Sequence, residues 1–86
     1  MGEINYESLV AGLVKPLVTR PEEVVASLES ETNDLVKVNV TVAKDDLGRV
    51  IGKRGRVAGA IRTIAHAAAI RNKQSIEITF NSNEEE

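Results

Sequence analysis

Hydrophobic positions along the chain change period several times, and each change marks an element. Leu9, Val10, Leu13, Val14 and Leu17 recur at helical spacing behind Asn5, which can cap a first helix. Pro16 lacks an amide hydrogen and disfavours helical geometry at Lys15, so that helix is expected to end there. After Pro21, Val24, Ala26 and Leu28 alternate with Val25, Ser27 and Glu29, which predicts a strand, and Glu31-Thr32-Asn33-Asp34 predicts a turn. Val36, Val38, Val40 and Val42 then alternate with Lys37, Asn39 and Thr41. A period of two in β-branched residues is what a strand with one buried face requires, and its spacing from the preceding strand predicts an antiparallel hairpin.

Beyond Ala43 the period becomes helical again. Asp45 or Asp46 can cap a short helix through Leu47, Val50 and Ile51, which Gly52 stops. A longer helix is predicted from about Gly55 to Arg71, with Val57, Ile61, Ile64 and Ala68 as its apolar stripe and Asn72-Lys73-Gln74 as its end. Ile76, Ile78 and Phe80 predict a last strand, and residues 81–86 read as an acidic, disordered tail after a domain spanning 1–80. The predicted class is α+β, in the order helix, strand, strand, helix, helix, strand: a three-stranded sheet with three helices on one face.

Composition narrows the chemistry. The 86 residues suffice for one core, which must be aliphatic because Tyr6 and Phe80 are the only aromatics. With no cysteine and a single histidine, His66, the sequence offers no disulfide, thiolate chemistry or histidine cluster for a metal, and no cofactor is expected. No apolar run is long enough for a membrane span, and the N-terminus has neither a signal-peptide nor a myristoylation pattern, so a cytoplasmic location is expected. Adjacent Asp45 and Asp46 suit capping better than acid–base catalysis. No nucleophile has a candidate base, so the chain does not read as an enzyme.

Charge alters the picture more. The net charge is −2, yet the stretch from Lys44 to Lys73 holds eight basic residues against two acidic ones, +6, while the remainder carries −8. An acidic chain can therefore present one basic face to a polyanion, although an Arg-rich solvated helix surface would look the same. At the centre of the basic stretch lies Gly52-Lys53-Arg54-Gly55, between two predicted helices. Glycines let the backbone turn tightly and let a sugar-phosphate chain approach closely. The following helix points its positive end at the same place, and Lys53 and Arg54 can meet phosphate oxygens.

The segment Val50-Ile51-Gly52-Lys53-Arg54-Gly55-Arg56 resembles the signature of KH domains, whose GXXG loop holds about four nucleotides by their backbone. Two strands before the motif and one after it resemble the type II arrangement. The small size, N-terminal helix and Ala-rich second helix resemble the free-standing bacterial KH proteins of the KhpA type, over residues 4–80. The resemblance implies single-stranded RNA as ligand, with Gly52, Lys53, Arg54, Gly55 and Arg56 on the backbone. It also implies Val50 and Ile51, joined by Val57 and Ile61, along the groove floor. The edge of the Leu35–Val42 strand would form the far wall, with Lys37 and Asn39 as polar contacts. For the apolar residues, plain core remains the alternative. The family also implies roles in RNA metabolism and cell-envelope growth, with a larger KH protein as a potential partner.

Gly48-x-x-x-Gly52-Lys53-Arg54 superficially resembles a P-loop, but it has one spacer too few and Arg54 where Ser or Thr is required. A helix-turn-helix DNA binder and a nucleic-acid-independent interaction module remain as rival readings. Ala58, Ile61, Ala65 and Ala69 widen the apolar arc of the long helix. They either form a dimer interface, in a homodimer or with a larger KH protein, or pack under the sheet.

Overall fold

A computed structural model describes residues 4–83. Helix α1 spans Tyr6–Val14, strands β1 and β2 span Val25–Glu31 and Leu35–Val42, helices α2 and α3 span Leu47–Ile51 and Arg56–Ile70, and strand β3 spans Ser75–Ser82. The sheet order is β1-β2-β3, with β1 antiparallel and β3 parallel to β2. The parallel pairing follows from the crossover through α2 and α3. β3 extends through Asn81 and Ser82, two residues that the predicted tail included. Residues 84–86, which fall in that predicted tail, lie outside the described residues.

Asn5 caps α1 as expected, its side chain accepting from the Ser8 amide at 3.0 Å. β2 buries Val36, Val38, Val40 and Val42 beneath the helices and turns Lys37 to solvent. Val10 and Val14 of α1, Val50 of α2, and Ile61, Ala65 and Ala69 of α3 complete the core with Ile78. α3 is rotated from its predicted setting. Ala58, Ile61, Ala65 and Ala69 are buried, whereas Ile64 is 50% exposed. The sheet already fills its helical face with branched side chains, so the alanine row, which permits close approach, lies against the core and the bulkier row moves to its rim. Of the two readings of Ala58, Ile61, Ala65 and Ala69, packing under the sheet is the one that their burial favours.

Two polar ties hold distant segments together. The Tyr6 hydroxyl donates to Gln74 Oε1 at 2.6 Å, and Gln74 Nε2 donates to the Thr32 carbonyl and to Glu31 Oε2. This joins the start of α1, the β1–β2 turn and the end of α3, whose left-handed Lys73 closes the helix. Asp46 does not cap α2 with its side chain as predicted. Its carboxylate is buried and accepts from the Thr19 amide and hydroxyl at 3.0 Å and from the Arg20 amide at 3.1 Å, with Arg49 3.3 Å away. On the outer edge of β1, beside a bulge between Leu28 and Ser30, the Glu7 carboxylate accepts from the Leu28 amide at 2.8 Å.

Hydrogen bonds from the Thr19 amide and side chain and from the Arg20 amide, helped by Arg49, hold the Asp46 carboxyl below its ordinary value against the opposing effect of burial. A depressed folded-state value stabilises the fold at pH above the unfolded value of 3.8, and that contribution disappears as pH falls through the folded value. Asp46→Asn should therefore melt at a lower temperature than wild type at neutral pH. The gap should narrow as the pH is taken well below 3.8. Melting curves across this range check both the sign and the window.

Candidate nucleic-acid interface

Gly52 is required by its surroundings. Its φ of 76° and ψ of 172° lie in a region essentially reserved for glycine. A Cβ there would come within 2.5 Å of Val57 Cγ2 and 2.9 Å of the Val57 amide nitrogen. The missing side chain is what allows α2 to turn directly into α3. Its amide closes α2 by donating to the Gly48 carbonyl at 2.9 Å. Arg54 and Gly55 follow with φ of 58° and 73°, both left-handed, and nothing crowds Gly55. Turns of this kind bring successive amides toward one side, which favours an anion.

Lys53, Arg54 and Arg56 surround that turn, all exposed, and among the described residues none of them enters an ion pair. Gly55 caps α3 without a side-chain hydrogen bond, so no capping side chain stands before the positive end of a 15-residue helix. The structure thus brings Gly52, Lys53, Arg54, Gly55 and Arg56 together at one accessible point.

The predicted groove is partly redrawn. Ile51 and Val57 are half-buried beside the loop, but Val50 has no exposed surface and Ile61 is 4% exposed; both support the site from within the core. β2 is the central strand, hydrogen-bonded on both sides, so it has no edge to offer. Lys37 and Asn39 lie on the face away from the helices, where Asn39 accepts from the Asn81 side-chain amide. The free edge nearest α2 and α3 belongs to β3. There Arg62 of α3 donates through Nη2 to the Ile78 carbonyl at 3.0 Å, and its guanidinium carbon sits 5.4 Å from the centroid of the Phe80 ring. A shallow cavity lined by Asn39, Thr41, Leu47 and Phe80–Asn83 continues the same edge. Periodicity marks Phe80 as core and Arg62 as surface; nothing in the local pattern announces that they meet.

The family model for the KhpA/KhpB KH domain matches residues 7–80. This chain belongs to the KhpA/KhpB KH-domain family. It is 46% identical over 72 residues to the RNA-binding protein KhpA of Listeria monocytogenes, covering 84% of this chain and 93% of that one. To the RNA-binding protein KhpA of Bacillus subtilis it is 35% identical over 77 residues, 90% of this chain and 94% of that one. Among solved structures, Aquifex aeolicus Era bound to GDP·AlF4− superposes with a TM-score of 0.74 at 14% identity, over 90% of this chain and 30% of Era. Era in complex with a fragment of 16S ribosomal RNA gives 0.69 at the same identity, over 90% of this chain and 29% of that one. This chain thus spans under a third of Era, and at this identity the likeness is one of fold. The type II KH arrangement expected of the KhpA/KhpB family is the one observed. Among the described residues no acidic or histidine cluster could hold a metal ion, and no helix is long and apolar enough to cross a membrane.

The two loop glycines should respond differently to substitution. Gly52→Ala combines a forbidden conformation with a steric clash, and should cost more than about 2 kcal/mol. Gly55→Ala meets only the left-handed penalty, about 1–2 kcal/mol. Urea unfolding of the two variants checks the order.

Proposed function

We propose that this chain binds single-stranded RNA by its sugar-phosphate backbone at Gly52-Lys53-Arg54-Gly55. Arg56 adds charge at the start of α3, and the bases lie along Ile51, Val57 and the edge of β3. The observation that carries this reading is the junction itself. A glycine-only conformation removes side-chain bulk where the chain would approach, and three exposed cations surround two left-handed residues at a helix N-terminus. Membership of a family whose curated relatives are named RNA-binding proteins supports it. So does the scarcity of aromatics, since RRM and OB-fold readers stack bases on several rings, whereas here Tyr6 is buried and Phe80 lies under Arg62. A helix-turn-helix reading fits less well: α2 has five residues, and the cations cluster on the turn rather than along a reading helix. The bacterial cytoplasm is the compartment this function implies.

The reading includes pairing with a second KH domain, either another copy or a larger KH protein. The surface that suits it differs from the one inferred from the alanines. An apolar groove between α1 and α3 is lined by Leu13, Leu17, Val57, Ala60 and Ile64, with Arg56 at its rim. Leu17 is 42% and Ile64 50% exposed, so both have surface to bury against a partner. Light scattering should show an associating wild type and a monomeric Ile64→Asp; a wild type monomeric at high micromolar concentration removes self-pairing.

Replacing Lys53 and Arg54 together by Asp tests the loop. Both side chains are exposed and Asp tolerates the left-handed conformation at position 54, so the fold should not be destabilised, while binding to single-stranded RNA should collapse. For wild type, about two or three neutralised phosphates predict a slope of log affinity against log salt of about −1.4 to −2.1. A folded double variant that binds as well as wild type, or a flat salt response, rules out the phosphate contact.

A further inference from the structure

Within a parallel pair, one residue's amide and carbonyl point to the same side and the next residue's point to the other. The Ser75 amide donates to Asp34 and the Asn83 amide to Val42, each at 2.8 Å. The odd-numbered residues of β3 therefore face β2, and the backbone groups of Ile76, Ile78 and Phe80 turn outward along the free edge. The Ile78 carbonyl that Arg62 engages is one of these outward groups. Arg62 stands two turns of α3 beyond Gly55, about 10 Å by helical rise. A strand held by its backbone at the loop would bring a base to this place.

Two contacts restrain the guanidinium. The Phe80 ring lies beneath it and the Ile78 carbonyl takes one of its hydrogens. Arg62 is nevertheless exposed, so its remaining donors are available. A guanidinium restrained in this way presents parallel N–H groups and loses little further freedom on binding. We infer that Arg62 selects the base, favouring guanine or cytosine over adenine and uracil.

The reason lies in the edges of the bases. Parallel donors need two adjacent acceptors. Guanine offers O6 beside N7, and cytosine offers O2 beside N3. Adenine sets an amino donor next to N7, and uracil separates its carbonyls with an N–H. This inference rests on the RNA-binding reading above but adds to it, because phosphate contacts at Lys53 and Arg54 carry no base information.

The test uses short uridine oligomers carrying a central guanosine, cytidine, adenosine or 7-deazaguanosine, with affinity read by fluorescence anisotropy on the intact chain. Wild type should bind the guanosine or the cytidine oligomer about tenfold tighter than the adenosine and all-uridine ones. If guanosine is the preferred base, 7-deazaguanosine, which lacks the N7 acceptor, should lose the gain; if cytidine is, only the cytidine oligomer shows it. Arg62→Lys keeps the charge but not the parallel donors. It should bring all oligomers within about twofold of one another. Wild-type binding without base preference, or a preference that survives Arg62→Lys, overturns the role of Arg62 and leaves the RNA-binding reading standing. Absence of binding to every oligomer overturns both. A wild-type preference for adenosine or uridine overturns it with no variant, so the role of Arg62 stays testable even if Arg62→Lys fails to fold.

Discussion

The structure depends on the burial of one strand. β2 hides four valines on one face and is hydrogen-bonded on both sides, so every other element either flanks it or covers it. In an 86-residue chain with two aromatics, this row is the densest apolar surface available. α3 must come close enough to seal it, which is why three alanines face inward beside Ile61, while Ile64 and Ile70 stay outside. Once α3 is seated, the position of its first turn is fixed, and the loop that precedes it is fixed as well.

That link runs from core to site. Val57 packs at the edge of the core and, on its other side, against the bare Cα of Gly52. The loop is therefore braced from below while its cations stay in solvent. Val50 and Ile61 belong to the same support: they touch the interior, and they shape the surface without forming it. Left-handed Arg54 places strain at the tip, of about 1–2 kcal/mol, which a folded core must sustain.

Elements whose signal is local were legible in the sequence. The alternating valines gave β2, Asn5 gave the start of α1, and the two glycines with their basic fillers marked the turn between α2 and α3. What could not be read depends on contacts between distant segments. The Asp46 carboxylate looked like a cap because its partners, Thr19 and Arg20, are far away in sequence. The rotation of α3 escaped because hydropathy ranks Ile64 above Ala65, whereas packing against a crowded sheet ranks them the other way. The centrality of β2 escaped too, since period-two patterning reports which face is buried and is silent about which strand lies beside which. This moved the proposed groove wall from β2 to the free edge of β3 and brought Arg62 into view.

The two rims of the sheet are treated differently. On β1, a bulge and the Glu7 carboxylate occupy the position that an incoming strand would need. On β3, the backbone groups of Ile76, Ile78 and Phe80 face outward. End-to-end growth of sheets into a fibril needs two receptive rims per molecule, one to give and one to receive. A molecule receptive on one side alone can take up a single extended ligand, or meet one twin rim to rim, and growth then stops. The bulge and acid that close β1 thus leave the chain one rim that a strand can reach once Arg62 yields the Ile78 carbonyl, and deny it the second that polymerisation needs.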